Sequence, residues 1–187
     1  MAVICMTKKV FNGTEEAEIE MFSVQEKGLL YSIIAIGSLI SSLTVMKVID
    51  LCGGSCPFLH RLTVIMYTLV AGIATICLPM CAQIGFIPVL LARLFQGIGA
   101  GIGFAFIGYM ASAWSPIKSY GIFMCALTSY GQLGPLIMMS TVGYSCGTKF
   151  GWEGVYYVSG VVTLIICILF YYIYTDTPRQ HKYAIFF

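Results

Sequence analysis

The sequence predicts an all-α, polytopic membrane protein, and three observations predict it. Hydrophobic residues make up 59% of the 187-residue chain and charged residues only 10%, against roughly a quarter charged in ordinary soluble domains. The mean hydropathy is +0.90. Five apolar runs each reach the roughly 20 residues that a helix needs to cross a hydrocarbon core about 30 Å thick. These runs are unbroken rather than alternating, which is the pattern of spanning helices and not of a transmembrane barrel.

The spans are expected at residues 28–48, 62–82, 86–113, 120–142 and 155–174. The third is longer than a bilayer requires and should tilt or extend past the interface. Short connections make consecutive helices antiparallel neighbours. Gln83-Ile84-Gly85 is a tight link. Trp114-Ser115-Pro116 ends the third helix, because proline disfavours helical geometry in the residue before it. Trp114 and Trp152 fall at span ends, where indole favours the interface. Phe170, Tyr171, Tyr172 and Tyr174 are expected to form an aromatic belt at the end of the fifth span. The acidic run from Glu15 to Glu20 is expected to be a solvated loop.

Orientation follows from two weak signals that agree. With the N-terminal stretch outside, inner loops carry Lys47, Arg61, Lys118, Arg179 and Lys182, and outer ones carry Lys8, Lys9, Lys27 and Lys149. That is a small positive-inside excess. Asn12-Gly13-Thr14 is an N-glycosylation sequon, usable only on the luminal side. Asn12 is therefore expected to be luminal and glycosylated. An odd number of spans then puts Arg179-Gln180-His181-Lys182 in the cytosol.

Several function classes are excluded. The net charge of +2 comes without any Lys/Arg block, so nucleic acid is not an expected partner. His60 and His181 are the only histidines, and no nucleophile–base, HExxH or P-loop pattern occurs. No enzyme, catalytic residue, metal site or bound cofactor is expected. Cys77, Cys125 and Cys167 lie in apolar runs, where a thiol behaves as a small hydrophobe. Cys52 and Cys56 have only His60 nearby, too few ligands for zinc. Cys146 could pair with Cys5 or Cys81, a matter of geometry.

Arg93 is the one charged residue deep inside a span. An ionised guanidinium in hydrocarbon costs roughly 2.5–3.5 kcal/mol on insertion scales. Two readings account for it. Either Arg93 faces an anion path in the bundle interior, with Gln96 on the same helix face supplying an amide, or its long side chain snorkels to headgroups about 10 Å away. Gly97 with Gly101, and Gly99 with Gly103, form GxxxG pairs suited to close helix packing. Gly131, Gly134 and Pro135 lie mid-way through the fourth span, where proline removes a backbone hydrogen bond and invites a kink or hinge.

Arg93-Leu94-Phe95-Gln96-Gly97 resembles the RxxQG signature in the fourth helix of major facilitator transporters. More narrowly it resembles the anion–cation symporter branch of sodium/phosphate cotransporters, sialin and vesicular glutamate transporters. Trp114-Ser115-Pro116 resembles that branch's W-x-P loop. Gly151-Trp152-Glu153-Gly154-Val155-Tyr156-Tyr157 resembles the start of its helix six, and Asp176-Thr177-Pro178-Arg179-Gln180-His181 the exit. There are departures. Ala100 stands where the vesicular glutamate branch has a glutamate, and Tyr31 where it has a histidine. Asp50 and Gly53 align with the G-x-x-x-D-R-x-G-R loop, but its basic residues are missing. Leu43-Thr44-Val45-Met46 lacks the branch's Pro-Gly.

The resemblance implies helices two to six of a twelve-helix fold, a partial N-terminal half. Residues 1–27 would be the end of helix one and the luminal loop, 28–178 the five-helix part, and 179–187 the start of the cytosolic central loop. It implies secondary active transport of a small anion, phosphate or an organic carboxylate, by alternating access. Arg93 and Gln96 would bind the substrate, and a sodium ion or proton would couple. The partners would be the lipid bilayer, of the plasma membrane or a vesicle or lysosome, and a C-terminal six-helix half absent from this sequence. The rival expectation is a truncated, non-transporting membrane scaffold or degenerate paralogue.

Overall fold

The computed structural model describes residues 7–12, 15–51, 57–114, 120–146 and 151–174. A β-hairpin comes first, β1 (Thr7–Asn12) and β2 (Glu15–Glu20), followed by helices α1 (Val24–Leu51), α2 (Pro57–Ile84), α3 (Phe86–Trp114), α4 (Tyr120–Thr128), α5 (Tyr130–Cys146) and α6 (Gly151–Ile173). The described helices supply five membrane spans, α4 and α5 together forming the fourth. The expected spans are all present. Ala2 to Met6, the Cys52/Cys56 pair, Ser115-Pro116 and the segment beyond Tyr174 lie outside the described residues.

The acidic run is not a loop. It forms β2, paired antiparallel with β1 so that Lys9 stands opposite Glu18 and Asn12 opposite Glu15. The Asn12–Glu15 pairing leaves two residues between the strands, the commonest hairpin loop length. The first helix also starts earlier than expected. Ser23 and Glu26 form a reciprocal capping box, Ser23 N–H donating to Glu26 Oε2 at 2.8 Å and Glu26 N–H to Ser23 Oγ at 3.3 Å. Two orphan donors of the first turn are thereby satisfied.

A single residue, Gly85, separates α2 from α3, with φ of +154° and its N–H on Cys81 C=O at 3.1 Å. So abrupt a reversal lays α2 against α3. Helix α1 also packs on α3, and α2 on α6. The glycines explain these contacts. A Cβ on Gly97 would collide with Ile34 O and lie 2.9 Å from Ile34 Cα, and one on Gly101 would lie 2.9 Å from Ser38 Cα. From α1, a Cβ on Gly37 would stand 3.0 Å from Ile98 N. Gly99 faces α2, where a Cβ would lie 2.9 Å from Tyr67 O. Gly97 and Gly101 thus serve α1 and Gly99 serves α2, backbones approaching where side chains are absent, whereas Gly103 meets the Tyr130 hydroxyl of α5.

A core cluster lies at the hairpin end of the bundle, with Phe22, Leu30, Leu78, Val89, Val142 and Trp152 buried together. At the opposite end Arg61 donates to Tyr171 C=O, and its guanidinium stands 4.6 Å from the Tyr171 ring centre. Tyr171 and Tyr172 are exposed as an interface belt would be. Tyr174 is not: it is buried, stacked on Phe170 at 4.6 Å and edge-on to Phe106.

The fourth span is broken, and the break is not at Pro135. It lies at Ser129, between α4 and α5. Ser129 Oγ donates to Ala126 C=O at 2.7 Å, and Thr128 Oγ1 to Met124 C=O at 2.9 Å. Gln132 N–H turns to Ser129 C=O at 3.1 Å instead of continuing the i−4 ladder. Hydroxyls that bond back to preceding carbonyls compete with the ladder and bend helices. Pro135 sits inside α5. A Cβ on Gly131 or Gly134 would meet nothing within 4 Å among the described residues, so these two glycines hold no helix against another.

Candidate functional site

Arg93 lies on the third turn of α3 and is 9% exposed. A snorkelling arginine would keep its head in water; this one is enclosed. Its Nη1 donates to Gln96 Oε1 at 3.0 Å, one turn further along the same helix. Its Nη2 donates to the Tyr156 hydroxyl of α6 at 2.5 Å, and the guanidinium carbon is 5.4 Å from the centre of that ring. Gln96 Nε2 in turn donates to Thr75 Oγ1 of α2 at 2.8 Å, and Thr75 Oγ1 to Ala71 C=O at 2.7 Å. Three helices thus orient one cation.

These side chains line a cavity of about 530 Å³ between α2, α3, α5 and α6. Thr75, Arg93, Gln96, Tyr156, Ser159 and Thr163 form its polar wall. Pro135, Met138, Met139, Val142 and Val155 form the apolar one. Tyr156, Ser159 and Thr163 fall at i, i+3 and i+7, the helical spacing that puts them on one stripe.

The electrostatics are one-sided. Both bonds from the guanidinium go to neutral acceptors, and no carboxylate reaches it among the described residues. Hydrogen bonds to a charged group contribute about 1.5–3 kcal/mol each. They offset the insertion cost but cancel no charge. A guanidinium has five N–H donors; Nε is buried without an acceptor. Glu26 and Glu153 belong to the first turns of α1 and α6. A fixed cation behind low-dielectric walls focuses a positive potential into the cavity. Such a site attracts anions and repels cations.

The family model of the Major Facilitator Superfamily matches residues 2–186. The chain belongs to the major facilitator superfamily.

Within that superfamily, sialin of Homo sapiens is 27% identical over 110 residues, 59% of this chain and 22% of its own length. Sodium-dependent phosphate transport protein 1 of Mus musculus is 26% identical over 113 residues, 60% of this chain and 24% of its own length. A protein named probable small intestine urate exporter of Mus musculus is 21% identical over 180 residues, 95% of this chain and 35% of its own length. The chain therefore spans between about a fifth and about a third of the curated relatives it matches. These relatives agree with the narrower resemblance carried by Arg93-Leu94-Phe95-Gln96-Gly97.

The sequence-predicted site residues separate into groups in this major facilitator chain. Arg93 and Gln96 meet in the cavity. Pro135 lines the same cavity from α5, while Gly97 and Gly101 hold α3 to α1. Asn12 is remote, at the end of β1. Sequence reasoning missed Thr75, Tyr156, Ser159 and Thr163. The signal for the last three was present as a polar stripe at helical spacing in an otherwise apolar span; Thr75 carried none beyond being polar. Cys81 is a free thiol, as are Cys77, Cys125 and Cys167.

Proposed function

We propose that this chain forms the anion-binding part of a secondary active transporter for small organic or inorganic anions. One observation carries the reading: Arg93 is buried against a membrane-interior cavity with no carboxylate among the described residues to neutralise it. The relatives support it, since two of them are named for phosphate transport and urate export. Arg93 holds the anion, and Gln96, fixed between Arg93 and Thr75, orients the guanidinium. Among the described residues no carboxylate lines the cavity, which speaks against a proton carried on Asp or Glu beside the anion. A sodium ion, in keeping with the name of the phosphate relative, is the coupling ion this reading favours.

The test uses the chain in lipid nanodiscs, with inorganic phosphate, hexanoate and tetraethylammonium as probes in calorimetric titrations. The anions bind and the cation does not. Arg93→Lys keeps the charge but loses the planar fork and weakens anion binding, and Arg93→Ala abolishes it. Thermal melting is measured alongside, because a folding defect would mimic a binding defect. Anion binding by a folded Arg93→Ala variant at wild-type strength would remove Arg93 from the site.

A further inference from the structure

We propose that Tyr156 is a second ligand of the anion, donating its phenolic O–H to the same anion that Arg93 attracts; this rests on the anion-site reading above. The hydroxyls around the cavity differ in what their protons do. Thr75 Oγ1 donates to Ala71 C=O at 2.7 Å, Ser159 Oγ to Tyr156 C=O at 3.1 Å, and Thr163 Oγ1 to Ser159 C=O at 2.8 Å. Their protons are committed to backbone. Tyr156 is the exception. Its oxygen receives Arg93 Nη2–H at 2.5 Å, and a guanidinium can only donate. That bond therefore occupies a lone pair and leaves the phenolic proton without an acceptor among the described residues. The side chain is 6% exposed and lines the cavity. An O–H buried without an acceptor is unfavourable unless something fills the role.

The geometry also says what fills it. Arg93 polarises the phenol by donating to it, which strengthens the phenol as a donor in its turn. A remaining N–H on Arg93 and the O–H on Tyr156 are neighbouring donors from two helices. A carboxylate or phosphate meets them with two oxygens, one on each. Tyr156 thereby ties the anion to α6 as well as to α3.

Tyr156→Phe removes the hydroxyl and keeps the ring, its contact with the guanidinium and its edge-on packing against Trp152 at 6.1 Å. In nanodiscs, hexanoate and phosphate should bind Tyr156→Phe about 10- to 100-fold more weakly than wild type, with a cooperative melting transition retained at a temperature lowered by the lost bond to Arg93. A hydroxyl that merely competes for Arg93 predicts the reverse, tighter binding by Tyr156→Phe, and that result or unchanged affinity overturns the proposal. 3-Fluorotyrosine at position 156 covers the case of a misfolded Phe variant. It is a stronger donor of nearly the same shape, so it should tighten binding, and unchanged or weaker affinity overturns the proposal. Arg93→Ala separates the two readings. Loss of binding in Arg93→Ala with full binding in Tyr156→Phe removes Tyr156 alone. Full binding in both, or no anion binding by wild type, removes the anion site itself.

Discussion

Replacing Gly97 with alanine tests whether the α1–α3 contact depends on a bare backbone. Intrinsic propensity favours the change, since alanine is better than glycine in a helix by about 1 kcal/mol. Packing opposes it. The new Cβ would collide with Ile34 O and stand 2.9 Å from Ile34 Cα, whereas carbon atoms rest at about 3.5–4.0 Å. Both neighbours are backbone, so no rotamer relieves the clash and α1 must move away by about half an ångström or more. Overpacking of this kind costs about 1–3 kcal/mol. Gly131→Ala is the internal control, because its Cβ meets nothing within 4 Å among the described residues and the propensity gain stands alone. The propensity gain is common to both, so the two variants should differ by the packing cost of about 1–3 kcal/mol, or roughly 2–12 °C in melting temperature for a domain of this size. Intrinsic tryptophan fluorescence during a thermal ramp in nanodiscs reads the difference. Gly97→Ala should melt below wild type and Gly131→Ala at or above it. A Gly97→Ala variant as stable as Gly131→Ala would refute the close-packed interface.

Two further predictions concern the fourth span and the topology. Ser129→Ala should free Ala126 C=O for the helix ladder and slow amide exchange at residues 130–132 about five-fold or more, while Pro135→Ala should leave the break in place; hydrogen-exchange mass spectrometry reads both, and protection gained only with Pro135→Ala would return the hinge to the proline. Asn12 should be glycosylated in microsomes, shifting mobility on N-glycosidase treatment, with a tag after Phe187 open to external protease; a protected tag would invert the orientation.

The five spans were legible because the bilayer imposes a length and a polarity on any helix that crosses it, and an unbroken apolar run satisfies both. Arg93 stood out for the same reason: a charge inside such a run must be compensated. The glycines of α3 were equally visible, since only close backbone approach explains so many in a helix. Ser23-x-x-Glu26 was a local signal of a helix start, present in the sequence. The break at Ser129 was local too, carried by two hydroxyl residues in succession. What the sequence could not determine was partnership. Whether Arg93 reaches lipid headgroups or a cavity depends on which helix faces it. Tyr156 lies 63 positions away and Thr75 lies 21 positions from Gln96, separations across which spacing says nothing. Gly85 folds α2 back on α3, the glycine contacts draw α1 and α2 against α3, and α6 packs on α2. Only that arrangement closes a cavity around the guanidinium and leaves the phenolic proton of Tyr156 beside it.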